Sequence, residues 1–265
     1  MILSISIGND FIKLGLGTIK NLSETWSITT RPMYTNDEAE AEIRNFFSTI
    51  TQRDTNTLQH PLTLRGAIIA SVVPSLTNAW VQASQSICKS RPLVVGPGIK
   101  TGLRMNYNDP SEIGADRIAN IVAARALFET PCIVIDMGTT TNFSIIDKQG
   151  AFCGSIIAPG MRLSAQALSK KAAQLFDISI NAPASVVGKT TQEALRSGII
   201  FGEVARLDGL IEQIWQHLGY QTDIVSTGID ACELAALSKY QNHVENNLTL
   251  NGLMLMYEKN RPTAR

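Results

Sequence analysis

Histidine and cysteine are scarce in this chain, and the few present are scattered. His60, His217 and His243 stand alone in polar or helical surroundings, and Cys88, Cys132, Cys153 and Cys232 form no Cys-x-x-Cys pair, so neither a zinc site nor a disulfide framework is indicated. Reduced, mostly buried thiols are expected instead. Net charge is lacking too: 23 basic and 23 acidic residues cancel to +0, which gives no whole-protein field for nucleic acid or an anionic membrane, and any phosphate site must be local. No apolar run approaches the roughly 20 residues needed to span a bilayer. The first residues enter a strand without a basic leader, so a cytoplasmic protein is expected, with neither nucleic acid nor membrane as partner.

What is present is enough apolar material for a real core. At 265 residues and 44% hydrophobic content, the chain can build one large domain or two modest ones, and two lobes are the preferred reading. They are drawn as 1–115 and 116–265, with the last helix able to pack back on the first lobe. Periodicity predicts strands over Ile2–Ile7, Phe11–Leu16 and Trp26–Thr30, then a helix over Asn36–Ile50 and a polar loop over Thr51–Pro61. The acidic start of that helix, at Asp37, Glu38 and Glu40, suits the helix dipole rather than catalysis. A strand over Gly66–Val73, a helix over Ser75–Ser90 and a strand over Pro92–Val95 complete a pattern that fits an α/β layer with a mixed sheet.

The Gly-, Pro- and Asn-rich stretch 95–117 reads as a linker. After it come a helix over Asp116–Thr130, strands around Ile133–Ile135, Phe143–Ile146 and Ala151–Ala158, and a helix over Met161–Leu175. A long helix over Thr190–Leu218, a strand over Thr222–Ser226 and helices over Ala231–Ser238 and Leu250–Lys259 follow, repeating much of the order of the first half. Only the last few residues are expected to fray.

Chemistry gathers at two strand-turn-strand units. In CIVIDMGTTTNFSIID, Gly138 to Thr141 offers closely spaced backbone N–H groups and three hydroxyls suited to an anionic oxygen, and Asp136 just before the turn could hold a cation. Gly8-Asn9-Asp10 echoes it between the first two strands.

SIGNDFIKLG, YNDPSEIGADR, IDMGTTTNF, GSIIAPGMRLSAQAL, GKTTQEALRSGIIFGEVARLDGLI and LTLNGLMLMYEKNR, in this order, resemble the motifs of type III pantothenate kinases. The resemblance implies two ribonuclease H-like lobes of the acetate and sugar kinase, chaperone and actin superfamily, with mixed sheets flanked by helices and ATP in the cleft between the lobes. It implies phosphoryl transfer from ATP to pantothenate, with magnesium and a monovalent cation, K⁺ or NH₄⁺, and a homodimer. By position Asp116 would be the base, and Tyr107, Gly114, Ala115, Asp116, Arg117 and Thr191 would line the pantothenate pocket. Asp136 would lie on the monovalent cation. Thr139 and Gly228, with Ser6, Ile7, Gly8, Asn9, Asp10 and Lys13 of the first hairpin, would hold the nucleotide and its magnesium.

Three departures from the family pattern fall on the nucleotide side. Ser6 stands where the family carries Asp, and a neutral hydroxyl is a poor ligand for a hard dication. Ile229 replaces the second Gly of a Gly-Gly pair, where it should crowd the nucleotide or force the turn into another conformation, and Ser144 replaces a common Asp. An active kinase with altered nucleotide handling is the first reading. A kinase-like protein acting as a ligand sensor or transcriptional accessory is the alternative.

Overall fold

A computed structural model describes residues 1–53, 63–171, 181–240 and 243–261. Most of the expected loop at Thr51–Pro61, the end of the expected helix Met161–Leu175 and the last four residues lie outside the described residues. The chain is α/β with mixed sheets flanked by helices, and it divides into two compact units: Met1–Leu103 with Asn108–Leu127 and Asn247–Arg265, and Arg104–Tyr107 with Phe128–Asn246.

The first unit holds β1 (Ile2–Ile7), β2 (Phe11–Thr18), β3 (Asn21–Thr29), α1 (Asn36–Arg53), β4 (Gly66–Ser71), α2 (Pro74–Cys88) and β5 (Leu93–Val94). Its sheet runs β3-β2-β1-β4-β5, antiparallel through the first three and parallel across β1, β4 and β5. Every residue of β1 is buried, as befits a central strand covered on both faces. Leu3, Ile5 and Ile7 pack with Ile43 and Phe46 of α1 and Trp80 of α2.

The start of α1 is a capping box: the Thr35 hydroxyl accepts the Glu38 N–H at 3.2 Å, and the Glu38 carboxylate accepts the Thr35 N–H at 2.8 Å. That gives Glu38 a structural task. The helix then continues through Thr51–Arg53, where a loop was expected. Strand β3 begins five residues before the expected Trp26, because alternate residues along Asn21–Thr29 are half-buried while the others face solvent.

Two helices far apart in sequence complete this unit. The chain runs through β6 (Arg104–Met105) and a 3₁₀ turn at Pro110–Glu112 into α3 (Ala115–Leu127). It returns at its end as α7 (Leu248–Asn260), which packs on α3 and against β1, β2 and β4. Gly252 is what lets the helices close, since a Cβ there would sit 1.9 Å from the Ala119 carbonyl oxygen. Tyr257 donates its hydroxyl to the Arg65 carbonyl at 2.7 Å, and Glu258 pairs with Arg65 at 2.9 Å, anchoring the far end of α7.

The second unit contains β7 (Cys132–Met137), β8 (Thr140–Ile146), β9 (Ala151–Pro159), α4 (Met161–Lys171), α5 (Thr191–Leu218), β10 (Asp223–Thr227), α6 (Ala231–Leu237) and β11 (His243–Val244). Its sheet order is β11-β10-β7-β8-β9-β6. Strand β6 was not foreseen in the linker. Two residues carry no periodicity, and Arg104–Met105 become a strand only because Ala151–Phe152 lie alongside. Ile133, Ile135 and Phe143 pack against Met161 of α4 and Ile200, Leu207 and Ile211 of α5.

Gly252→Ala is expected to destabilise the chain by about 1–3 kcal/mol through overpacking. Gly209→Ala in α5, whose Cβ would meet nothing within 4 Å, is expected to be neutral or to stabilise by up to about 1 kcal/mol through helix propensity. Thermal unfolding midpoints of the two variants check the contrast.

Candidate active site

In the first unit the hairpin between β1 and β2 closes on two residues, Asn9 and Asp10, with the Gly8 N–H donating to the Phe11 carbonyl at 3.0 Å. Thr30, just past β3, buttresses the turn. Its hydroxyl donates to the Gly8 carbonyl at 2.8 Å and its N–H to the Asp10 carbonyl at 2.9 Å. On β1, Ser6 faces Lys13 of β2 directly across the ladder, and Ile7 is buried in the core.

The same unit carries the residues at the start of α3. The Val72 N–H donates to the Ile7 carbonyl at 3.0 Å, tying the end of β4 to the end of β1. A Cβ on Gly114 would meet the Asp116 Oδ1 at 2.7 Å and the Val72 Cγ1 at 3.6 Å, so the missing side chain is what admits the carboxylate. That places Asp116 beside the strand ends from which the hairpin springs, with Ala115 half-buried as the first residue of the helix. Asp116 Oδ1 accepts the Arg117 N–H at 2.7 Å, and the Asp116 backbone N–H also bonds to the carboxylate. Burial raises the pKa of Asp116 above the ordinary aspartate value, against the opposing pull of the Arg117 N–H and the Arg117 charge.

Arg117 is only 8% exposed, and its Nε and Nη2 have no hydrogen-bond acceptor among the described residues. Buried donors are ordinarily matched, so an orphaned guanidinium marks a place for an anionic group.

In the second unit Asp136, half-buried near the end of β7, lies between Asn142 of β8 and Thr227 of β10 in the ladder. Thr139 sits in the turn that follows, where the Gly138 N–H donates to the Thr140 carbonyl at 3.1 Å and the Gly160 N–H to the Thr139 carbonyl at 3.0 Å. Gly228 packs directly on Met137: its φ is 103°, and a Cβ would come within 2.3 Å of the Met137 carbonyl oxygen. Ile229 forces no unusual turn, since the left-handed conformation falls on Gly228 and Ile229 is 44% exposed. Ser144 is 3% exposed, opposite Val134 and Ser155.

Other residues that brace this corner were missed by sequence reasoning. Buried Glu203 of α5 accepts the Thr141 hydroxyl at 2.7 Å and pairs with Arg206, which also donates to the Pro159 carbonyl. Arg162 of α4 pairs at 2.7 Å with Asp230, itself 2% exposed, whose N–H donates to the Met137 carbonyl at 3.2 Å. The signal was available, since charged residues interrupt the apolar helical stretches FGEVARL and PGMRL. Their partners were not readable.

Tyr107 and Thr191 also belong to the second unit and do not join the corner residues by hydrogen bonds. Tyr107 lies against Phe152 with ring centroids 5.3 Å apart, and Thr191 is exposed at the first position of α5. A cavity of about 530 Å³ beside β8, β9 and the end of α5 is lined by none of the expected residues.

The fold recurs among solved structures. Two solved structures share it over most of their length. A Baf family transcriptional activator from Campylobacter jejuni has a TM-score of 0.57 at 17% identity, covering 97% of this chain and 98% of that one. The activator of 2-hydroxyisocaproyl-CoA dehydratase from Clostridium difficile, with bound ADPNP, has a TM-score of 0.52 at 8% identity, covering 97% and 94%. The family model for type III pantothenate kinase matches residues 2–213. A type III pantothenate kinase of Shouchella clausii is 41% identical, over 98% of this chain and 100% of its own length. That of Listeria monocytogenes serovar 1/2a is 37% identical, over 100% and 99%. The chain belongs to the type III pantothenate kinase family.

The Glu203–Arg206 pair yields a stability test. Arg206→Met strands a buried carboxylate and is expected to cost about 3 kcal/mol, whereas the double change Glu203→Leu with Arg206→Met restores much of the loss. Unfolding midpoints of the two variants check this.

Proposed function

We propose that this chain transfers the γ-phosphoryl group of ATP to the primary hydroxyl of pantothenate, a step toward coenzyme A. The observation that carries the reading is the first turn of α3, where a desolvated carboxylate at Asp116 adjoins a buried guanidinium at Arg117 with unmatched donors. Together they suit a substrate that has both a hydroxyl to be deprotonated and a carboxylate to be held, and pantothenate has both.

In the reaction the hydroxyl oxygen bonds to the γ-phosphorus while Asp116 takes the hydroxyl proton. The bond from phosphorus to the β,γ-bridging oxygen breaks, and ADP leaves with the electron pair. A raised pKa makes Asp116 a better proton acceptor than an ordinary aspartate. Arg117 orients pantothenate by binding the substrate carboxylate, with Gly114 and Ala115 shaping the approach, and in the second unit Tyr107 and Thr191 are the residues expected to contact pantothenate. In the first unit Ser6 to Asp10 and Lys13 are the residues for the nucleotide; in the second, Thr139 and Gly228 are, Gly228 through bare backbone against Met137.

Asp136, a half-buried carboxylate with hydroxyl and amide neighbours on the adjoining strands, fits a monovalent cation, potassium or ammonium, which would supply positive charge near the phosphates. A magnesium ion does not find such a donor set on β1. The chain is expected to act in the cytoplasm as a homodimer. Among the described residues, no helix is long and apolar enough to cross a membrane.

Incubation of the purified chain with pantothenate, ATP, magnesium and potassium should yield phosphopantothenate, and no product above background would overturn the reading. Asp116→Asn is expected to lower kcat by about 10²–10⁴-fold. The acid limb of kcat/KM should lie above the ordinary aspartate value of about 4, because burial holds the Asp116 proton more tightly. The sign for stability is opposite. Above its raised folded pKa the native state carries an ionised carboxylate at a cost, so Asp116→Asn should unfold no earlier than the native chain at pH 7, an advantage lost as the pH falls below the unfolded value of about 4. Replacing potassium with a large organic cation should lower the rate of the native chain and leave Asp136→Asn little changed, and light scattering should return twice the mass of one chain.

A further inference from the structure

At the base of the first hairpin, the facing pair of Ser6 and Lys13 offers a divalent cation no negative charge. Ser6 and Lys13 are a directly opposed pair and project from the same face of the sheet. Their neighbours across the ladder are Ala70 on β4 and Ser27 on β3, and the next pair on that face is Ser4 and Gly15, so every adjoining position is neutral. Ser6 is 8% exposed, and its hydroxyl has no hydrogen bond among the described residues. Lys13 is half-buried and has no carboxylate within ion-pair distance among them. Of the nearby carboxylates, Asp10 is exposed in the turn and Asp116 is beside Val72 at the strand ends. No group of three or more histidine, cysteine, aspartate or glutamate residues suited to a metal occurs among the described residues.

An unneutralised ammonium beside an open hydroxyl repels a dication and attracts an anionic oxygen. We infer that the first hairpin of this chain is a metal-independent phosphate site, in which Lys13 and Ser6 take an anionic oxygen of a nucleoside triphosphate directly, while any divalent cation rides on the nucleotide without a protein carboxylate. The inference rests on the kinase reading in assuming that ATP docks on this hairpin. The neutral residue at position 6 then trades a metal anchor for an uncompensated cation.

Calorimetric titration of the full chain with ATP, first in EDTA and then in magnesium, tests it. The dissociation constant of the native chain is expected to change by less than about threefold between the two. Lys13→Met should weaken binding in EDTA by about tenfold or more, and Ser6→Asp should do the same in EDTA and recover in magnesium, because the new carboxylate pairs with Lys13 and repels phosphate until a dication joins it. The native comparison and Lys13→Met stand even if Ser6→Asp fails to fold. Loss of native binding in EDTA with return in magnesium would overturn the inference. So would a magnesium-dependent gain that disappears in Asp10→Asn, which would put the metal on the turn carboxylate. A chain that binds ATP in EDTA but makes no phosphopantothenate sinks the kinase reading alone; one that makes product yet needs magnesium to bind ATP sinks only this inference.

Discussion

A carboxylate drawn out of water needs a reason, and Asp116 has one in the backbone around it. Gly114 leaves the space, Val72 forms the wall, and the Arg117 N–H holds one oxygen at 2.7 Å. Burial leaves the group readier to accept a proton, and the adjacent charge keeps the ionised form attainable. The wall itself depends on the Val72–Ile7 hydrogen bond, so the position of the base follows from the register of β1 and β4. Any loosening of that pair would move the carboxylate relative to the hairpin.

The second unit uses ion pairs with buried carboxylates for a similar end. Glu203 with Arg206 supports Thr141 and the end of β9, and Arg162 with Asp230 supports the loop that lies on Met137. Such pairs contribute little net stability but fix geometry, because a partner that moves leaves a charge stranded in a poor solvent. The corner around Asp136 and Thr139 is therefore braced from α5 on one side and α4 on the other.

Local pattern carried much of the fold. Apolar runs marked β1, β4, β7 and β10, and helical spacing marked α1, α2, α3 and α5, because in each the face that must be buried repeats at the period of the element. What escaped had no period to read: β6 and β11 are two residues each and exist by virtue of Ala151–Phe152 and Val225–Ser226 beside them. At the site, motif order pointed to Asp116, Arg117, Asp136 and Gly228. It could not indicate that Arg117 would be buried with unmatched donors, or that Glu203 and Arg162 would serve as braces, since burial and pairing belong to contacts between distant segments.

By itself the sequence determined the residues on which chemistry depends and the order of most strands and helices, since residue identity and short-range periodicity are local properties of the chain. Tertiary structure alone decided that α3 and α7, well over a hundred residues apart, meet at Gly252 in one unit, and that Ser6 faces Lys13 with no carboxylate within ion-pair distance of that lysine among the described residues. Both are matters of register and close approach, which arise only when separate segments exclude water together.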